Sequence, residues 1–572
     1  MHLHSLYVEN YRAVREASLT FNSTTVLIGE NESGKSSLLH ILKKILSPGT
    51  IKTALQFDPD HFHRTQDTGL ISGPILIRIC FSELYPEEWD EAIYQPISHL
   101  LNEKSNKKRK LIIEIKVSPV DEGTVEGKWK IFLKDTRKNT SDPKILQWCR
   151  KMNPVIHLTA GMLTGRGVDN IPEIRSAYQN FSESHEIKSV IDRIDTSASQ
   201  LLSGTSTNNL QLIEEGYNAA SRFIEYYRKQ GDSRKTGLVR KVSDILGKDQ
   251  DTEMHSLSPL LKGPTNTAKR LGVLLLVAAM IRTIPEGLNG EMDPIWIIED
   301  PEAHLHPMTL ASVNMLLDSI RWQKIITTYS GELLSKVPLR QIRKLHRYKG
   351  VVKEFRVKDK SLSKDDLRKI SYHLRAYNSE AFFARLWLFV EGESEFWIIP
   401  QLAHILGYEF PLEGITCIVF AQAGLDPFIK VAEELGIEWH MLADGDTAGQ
   451  TYKKAAQRFV SPDEEKKRIT LLRDKDIEHC FWNYGYSDFY LKQARYKKNK
   501  KHVNKAGKII KRAVKRHSKP YLSLSIAEAV NIPGSPGIPE MLKDLIETCL
   551  EMARNPSLHT TNSESHGNQN KD

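Results

Sequence analysis

Two groups of residues have types and spacings that could do chemistry. In "GENESGKSS", Gly29, Gly34, Lys35 and Ser36 match G-x-x-x-x-G-K-[ST] in full. The chemistry of that spacing is phosphate binding. Glycines let backbone N–H groups wrap a β-phosphate and the following helix N-terminus adds positive potential, while Lys35 reaches the β/γ-phosphates and Ser36 takes Mg²⁺. Asn31 and Ser37 complete the expected nucleotide-binding set. A loop of this kind needs a carboxylate at the end of a neighbouring apolar strand. The stretch "IWIIEDPEAHLHP" at 295–307 supplies Glu299 and Asp300 directly after an apolar run.

The second group is acidic. Glu391 and Glu395 lie in "LWLFVEGESEFW", and Asp444 and Asp446 in "MLADGDTAGQT". Asp-Gly-Asp can be no more than a tight turn, since Gly445 suits one. Brought together, however, these four carboxylates would repel one another, and divalent cations relieve such repulsion.

Both groups need strands that end where the functional residues begin. Residues 2–9 and 18–28 pattern as strands, and "VLIGENESGKSSLLHILKKIL" runs strand, glycine turn, helix. Further β-branched runs fall at 72–84 and 110–133. Ile187, Val190, Ile191 and Ile194 form one helical stripe, and Ile213, Tyr217, Ala220 and Ile224 another, joined by "LLSGTSTNNL". They predict a helical arm. From 386 onward the apolar runs "LWLFV", "TCIVF" and "HMLA" alternate with helix-like segments 394–406 and 426–435. That order predicts parallel βαβ units, whose strand ends share one crevice.

Composition is that of a globular chain, with 26% charged and 40% hydrophobic residues over 572 positions and a formal charge of +9. The basic excess is local: 495–519 holds many lysines and arginines and no acid, the pattern of a surface that contacts a nucleic acid backbone. Five cysteines without C-x-x-C spacing, and an N-terminus unlike a signal peptide, predict a cytoplasmic protein. The apolar run 271–281 is about half of a bilayer span, so no membrane partner is expected.

The strand-end acids of 295–307 and the phosphate loop together resemble the ABC/SMC/RecF-type ATPases. By position, the resemblance implies a metal role for Glu299 and a water-polarising role for Asp300, with Glu302 as an alternative base. The family order is Asp then Glu, reversed here; its signature loop is reduced to Gly263 and Arg270 within 258–272, and Tyr329 stands where a histidine contacts the γ-phosphate. Slow hydrolysis is therefore expected. His304 and His306 read as structural or interface residues.

Glu391 followed by Asp-x-Asp resembles the TOPRIM domain, and the E-G-x-x-E form resembles its OLD (overcoming lysogenisation defect) branch. That resemblance implies Glu478 in "DIEHCF" as a further metal ligand and Lys519 in "HSKPYLSLSIA" as the cation on the reacting phosphate. The cysteine spacing excludes the zinc ribbon of a bacterial primase.

Similarity to OLD nucleases covers nearly the whole chain. It implies an α/β protein: ABC-type ATPase parts at 1–165 and 251–375, a helical dimerisation arm at 166–250, a TOPRIM nuclease domain at 376–552 and a disordered tail at 553–572. It further implies ATP and Mg²⁺ or Mn²⁺ as cofactors, DNA held by backbone contacts with little sequence readout, a homodimer or higher homo-oligomer, a protein partner, and defence against phage. An RNase using the same acids, and an ATP-gated DNA clamp with an inactive TOPRIM part, are the competing readings.

Overall fold

The structure is a computed structural model. It describes residues 1–65, 68–101, 108–119, 123–134, 138–159, 185–203, 209–229, 274, 277, 293–303, 322–358, 360–377, 379–421, 424–496 and 505–556. His304, His306, the segment 258–272 and the tail beyond 556 lie outside the described residues. Two compact units divide the chain: 1–337 with 341–354, and 338–340 with 355–572.

Among the described residues, the first unit is built on one mixed sheet of twelve strands. In chain order these are β1 (His2–Tyr11), β2 (Val14–Thr20), β3 (Thr24–Ile28), β4 (Ile75–Ser82), β5 (Lys110–Val117), β6 (Lys128–Leu133), β7 (Asn139–Thr140), β8 (Val155–Thr159), β9 (Ile295–Glu299), β10 (Gln323–Thr327), β11 (Ile342–Tyr348) and β12 (Val351–Phe355). Across the sheet they run β8-β9-β10-β3-β11-β12-β2-β1-β4-β5-β6-β7.

One half is a parallel core, with β8, β9, β10, β3 and β11 side by side. The other is an antiparallel layer in which β1, β4, β5 and β6 pair in succession. The central strand β9 reads as a continuous apolar run, Ile295–Ile298, because both its faces are covered. Helix α1 (Lys35–Leu46) packs Leu38, Ile41, Leu42 and Ile45 into the same core as Leu27, Ile297 and Ile325. Each such side chain contributes about 2 kcal/mol of burial, so the loop between β3 and α1 is held at both ends.

The two predicted helical stripes form α2 (His185–Ser203) and α3 (Asn209–Lys229). Ile194, Ile213, Tyr217 and Ala220 are buried, as their spacing requires. Gly216 allows the helices to close, since a Cβ there would lie 2.8 Å from Ser197 Cβ and 2.6 Å from Leu274.

The second unit has a four-stranded parallel sheet: β13 (Leu386–Val390), β14 (Ile415–Val419), β15 (Glu438–Ala443) and β16 (Ile469–Leu471), in the order β14-β13-β15-β16. Helices α4 (Glu393–Ile405), α5 (Leu425–Glu434), α6 (Thr447–Ala456) and α7 (Ile477–Phe481) follow the four strands in turn. Further on come α8 (Ala506–Arg516), α9 (Lys519–Val530) and α10 (Glu540–Arg554).

Strand β13 shows why both faces are apolar. Leu386, Leu388 and Val390 join the core with α4, α9 and α10, while Phe389 on the other face meets Phe428 and Trp439 at ring distances of 6.0 and 6.3 Å. Chain order reverses at β13, with β14 on one side and β15 on the other. A crevice opens outside the carboxyl ends of β13 and β15 in a sheet so ordered. No described helix is long and apolar enough to cross a membrane.

Candidate active sites

Strand order delivers the acidic residues to that crevice. Glu391 is the first residue after β13, and Asp444 the first after β15. Asp444 N–H points at Glu391 Oε2 across 3.4 Å. Glu395, in the first turn of α4, turns back to accept the Gly392 N–H at 2.9 Å and is buried. Ser394 donates to Glu478 Oε1 at 2.7 Å, which draws the start of α7 to the start of α4. Lys519 opens α9, with its Nζ 3.8 Å from the point a Cβ on Gly392 would occupy. Five sequence-predicted residues, Glu391, Glu395, Asp444, Glu478 and Lys519, thus share one crevice.

Asp446 is also a helix cap. Its Oδ1 accepts the N–H groups of Ala448 and Gly449 at 2.9 and 3.0 Å, and so starts α6. The Asp-Gly-Asp stretch is therefore a turn as well as a pair of carboxylates. Both glycines near it are fixed by close approach rather than by φ. A Cβ on Gly445 would stand 2.3 Å from the Asp474 carbonyl, and one on Gly449 only 1.8 Å from the Asp444 carbonyl. Gly445 N–H pairs with that same Asp474 carbonyl at 3.1 Å.

Electrostatically the crevice is short of positive charge. Asp444 is pushed up to about 8 by burial, then by Glu395, Glu391, Asp476 and Glu478. Glu395 rises to about 7, chiefly through burial, and Glu391 is raised by burial and by Asp446 against the pull of Lys519. Asp444 Oδ1 is sealed from solvent and has no hydrogen-bond donor. An unpaired buried carboxylate oxygen costs free energy unless a proton or cation supplies the missing charge. Among the described residues, no three ligand side chains already converge as the shell of one ion. The donor set is nonetheless all oxygen, which suits a hard divalent cation. Asp476, which caps α7 and accepts from His479, belongs to this field, although the strand before it, β16, is too short to mark it in the sequence.

In the first unit the phosphate loop joins β3 to α1. Gly29 and Gly34 have φ of 149° and 94°, and a Cβ on Gly29 would meet the Leu345 carbonyl at 2.4 Å. Lys35 is buried, donating to the carbonyls of Gly29 and Glu30 at 2.7 and 2.9 Å and to Ser33 Oγ at 3.1 Å. The Tyr329 ring lies 4.8 Å from its Nζ. Burial lowers Lys35 to about 8, and Asp300 is the first of the acids opposing that shift. Asn31 and Ser36 are exposed and Ser37 half-buried beside it.

The three acids of the β9 turn have different surroundings. Glu299 is tied to His157 and Lys43, each at 2.7 Å, which holds its carboxyl at about 2. Asp300 has a φ of 47° and accepts from Thr327 Oγ1 at 3.0 Å. Glu302 Oε1 accepts from Thr328 Oγ1 and the Tyr329 N–H, while its Oε2 is buried without a partner. Sequence reasoning missed Lys43 and His157; both come to Glu299 only through the parallel packing of β8, β9 and α1.

A phosphate-binding loop between a parallel strand and a helix, and a second parallel sheet with an acidic switch-point crevice, define the class of protein. A family model described as "Protein of unknown function (DUF2813)" matches residues 1–381, and one described as "Overcoming lysogenization defect protein-like, TOPRIM domain" matches 382–446. The chain belongs to the DUF2813 family, with an OLD-like TOPRIM domain after the region that its model matches, and the expected α/β fold class is borne out.

The chain is 30% identical to "Uncharacterized protein YbjD" of Escherichia coli K12, over 97% of this chain and 99% of that one. It is 21% identical to the "OLD nuclease" of Thermus scotoductus, over 82% and 88% of the two chains. Among solved structures, the SMC head domain from Thermotoga maritima aligns with 63% of this chain and 100% of its own, at 13% identity and a TM-score of 0.30.

Proposed function

We propose that the chain is a metal-dependent DNA nuclease whose cleavage centre is the crevice around Asp444, and whose first unit binds ATP and hydrolyses it slowly. The observation that carries the reading is the sealed, donorless Asp444 Oδ1 among Glu391, Glu395 and Glu478. Glu391, Glu395, Asp444, Asp446 and Glu478 would hold Mg²⁺ or Mn²⁺. Such ions, when bound, supply Lewis-acid polarisation of a phosphodiester and a water of lowered pKa. Lys519 faces the same crevice and stabilises the charge that grows on the phosphate oxygens. The OLD nuclease relative supports hydrolysis over an inactive clamp.

In the first unit, Lys35 would exchange its three contacts within the loop for β/γ-phosphate oxygens, and a polyanion there restores the charge that burial disfavours. Glu299 is engaged by the Lys43 ammonium and the His157 ring, so metal binding there has to displace two partners. Asp300 lies closer to the charge of Lys35, and Glu302 is held through Oε1 by Thr328 Oγ1 and the Tyr329 N–H. These features support slow turnover. Assembly into a homodimer or larger homo-oligomer, recruitment of a protein partner and a role against phage belong to the same proposal through the family resemblance.

Incubation of plasmid DNA and single-stranded RNA with Mg²⁺ or Mn²⁺ tests the function. DNA cleavage abolished by Glu391→Ala is expected. Cleavage of RNA alone would replace DNA as the substrate, and ATP-dependent DNA binding without any cleavage would leave a clamp.

A further inference from the structure

We propose that α8 and the start of α9 form a track for an unpaired DNA strand, with phosphates along α8 and a base stacked on Tyr521 beside the cleavage crevice. The proposal rests on the nuclease reading and names its substrate class.

Helix α8 is divided into two faces. Ile509, Ile510 and Ala513 are buried, while Lys508, Lys511, Arg512 and Lys515 are exposed at i, i+3, i+4 and i+7, with Arg516 next to them. No acid occurs anywhere in 495–519. Lys508 to Lys515 spans about 10 Å along the axis, enough for the stripe to face more than one phosphate of an extended strand. The stripe leads to Lys519, whose ammonium lies at the crevice. A positive line that ends at a cluster of carboxylates directs a polyanion to the point where cations would receive it.

At that end the rings of His517 and Tyr521 stack, with centroids 4.9 Å apart and planes 18° from parallel. Tyr521 is 50% exposed, although Leu522, Ser523 and Ile526 on the same helix are buried. Among the described residues, the ring is not part of the core beneath α9. A half-open aromatic held flat by a second ring, two residues from the phosphate lysine, is a surface on which a base can stack. Bases in a duplex have no free face, so only an unpaired base can use it. Backbone charge alone would not distinguish the two forms.

Fluorescence anisotropy in EDTA with a labelled single strand, the matching duplex and an RNA of the same sequence tests the track. Tyr521→Ala is expected to weaken single-strand binding about tenfold and duplex binding less than twofold, while Tyr521→Phe binds like wild type. Lys511→Ala with Lys515→Ala is expected to weaken both DNA forms and to lower the salt slope by about 1 to 2. Tyr521→Ala and wild type should melt together, which separates stacking from misfolding.

Equal effects of Tyr521→Ala on single strand and duplex, or none on either, would overturn the proposal, as would tighter binding of the RNA than of the DNA. Tyrosine-dependent single-strand binding by a wild-type protein that cleaves nothing in Mg²⁺ or Mn²⁺ would support the track and count against the nuclease reading instead.

Discussion

At the scale of single residues, Asp444 and Glu395 make the metal-free crevice sensitive to pH. Their folded values, about 8 and about 7, stand above the ordinary 3.8 and 4.5. Between those limits the folded protein keeps protons that the unfolded chain has released, so stability falls as pH rises through that window. In EDTA the melting temperature should therefore decline from pH 5 to pH 8.5, and Asp444→Asn should flatten much of that decline. The same substitution should raise the metal-free melting temperature at pH 8 while reducing cleavage by at least about 100-fold, because it removes repulsion and a ligand together. Mg²⁺ binding at pH 7 should release about one proton, read as a dependence of the calorimetric enthalpy on buffer ionisation. Asp446 separates two roles. Asparagine caps a helix about as well as aspartate, so Asp446→Asn should change stability by less than about 0.5 kcal/mol yet abolish cleavage, whereas Asp446→Ala should also cost about 1 kcal/mol. Urea midpoints and a nicking assay check both.

At the scale of elements, the turn after β15 is set by two glycines that no side chain can replace without moving the backbone. Gly449→Ala would place a Cβ 1.8 Å from the carbonyl of Asp444. A loss of about 2 kcal/mol or more and of measurable cleavage is expected, seen in urea unfolding and in the nicking assay. Strands β13, β14 and β15 and the helices between them were legible in the sequence, because buried parallel strands are continuous apolar runs. Strand β16 was not, since three residues carry no pattern. The phosphate loop and the order Glu391, Glu395, Asp444, Asp446 were legible as motifs. Gly449, Asp476 and the Lys43–Glu299–His157 cluster were not, because tertiary packing alone brings them to their partners.

At the scale of the whole molecule, ATP binding and cleavage are assigned to separate compact units, so their lesions should separate. Lys35→Ala should lose ATP binding, measured by equilibrium binding of a labelled nucleotide, while the pH-dependent melting owed to Asp444 persists. Glu391→Ala should retain wild-type ATP affinity and lose cleavage. Charge distribution at this scale was legible in the acid-free stretch 495–519, but not the path it takes, since α8 acquires a basic face only once Ile509, Ile510 and Ala513 are buried. The claim that joins the three scales is that the Asp444 crevice is the metal-dependent cleavage centre. Nicking of supercoiled plasmid by wild type and Asp444→Asn, side by side in Mn²⁺ and in EDTA, tests it most directly. The account predicts nicking only by wild type and only with the metal; nicking by Asp444→Asn at the wild-type rate would contradict it.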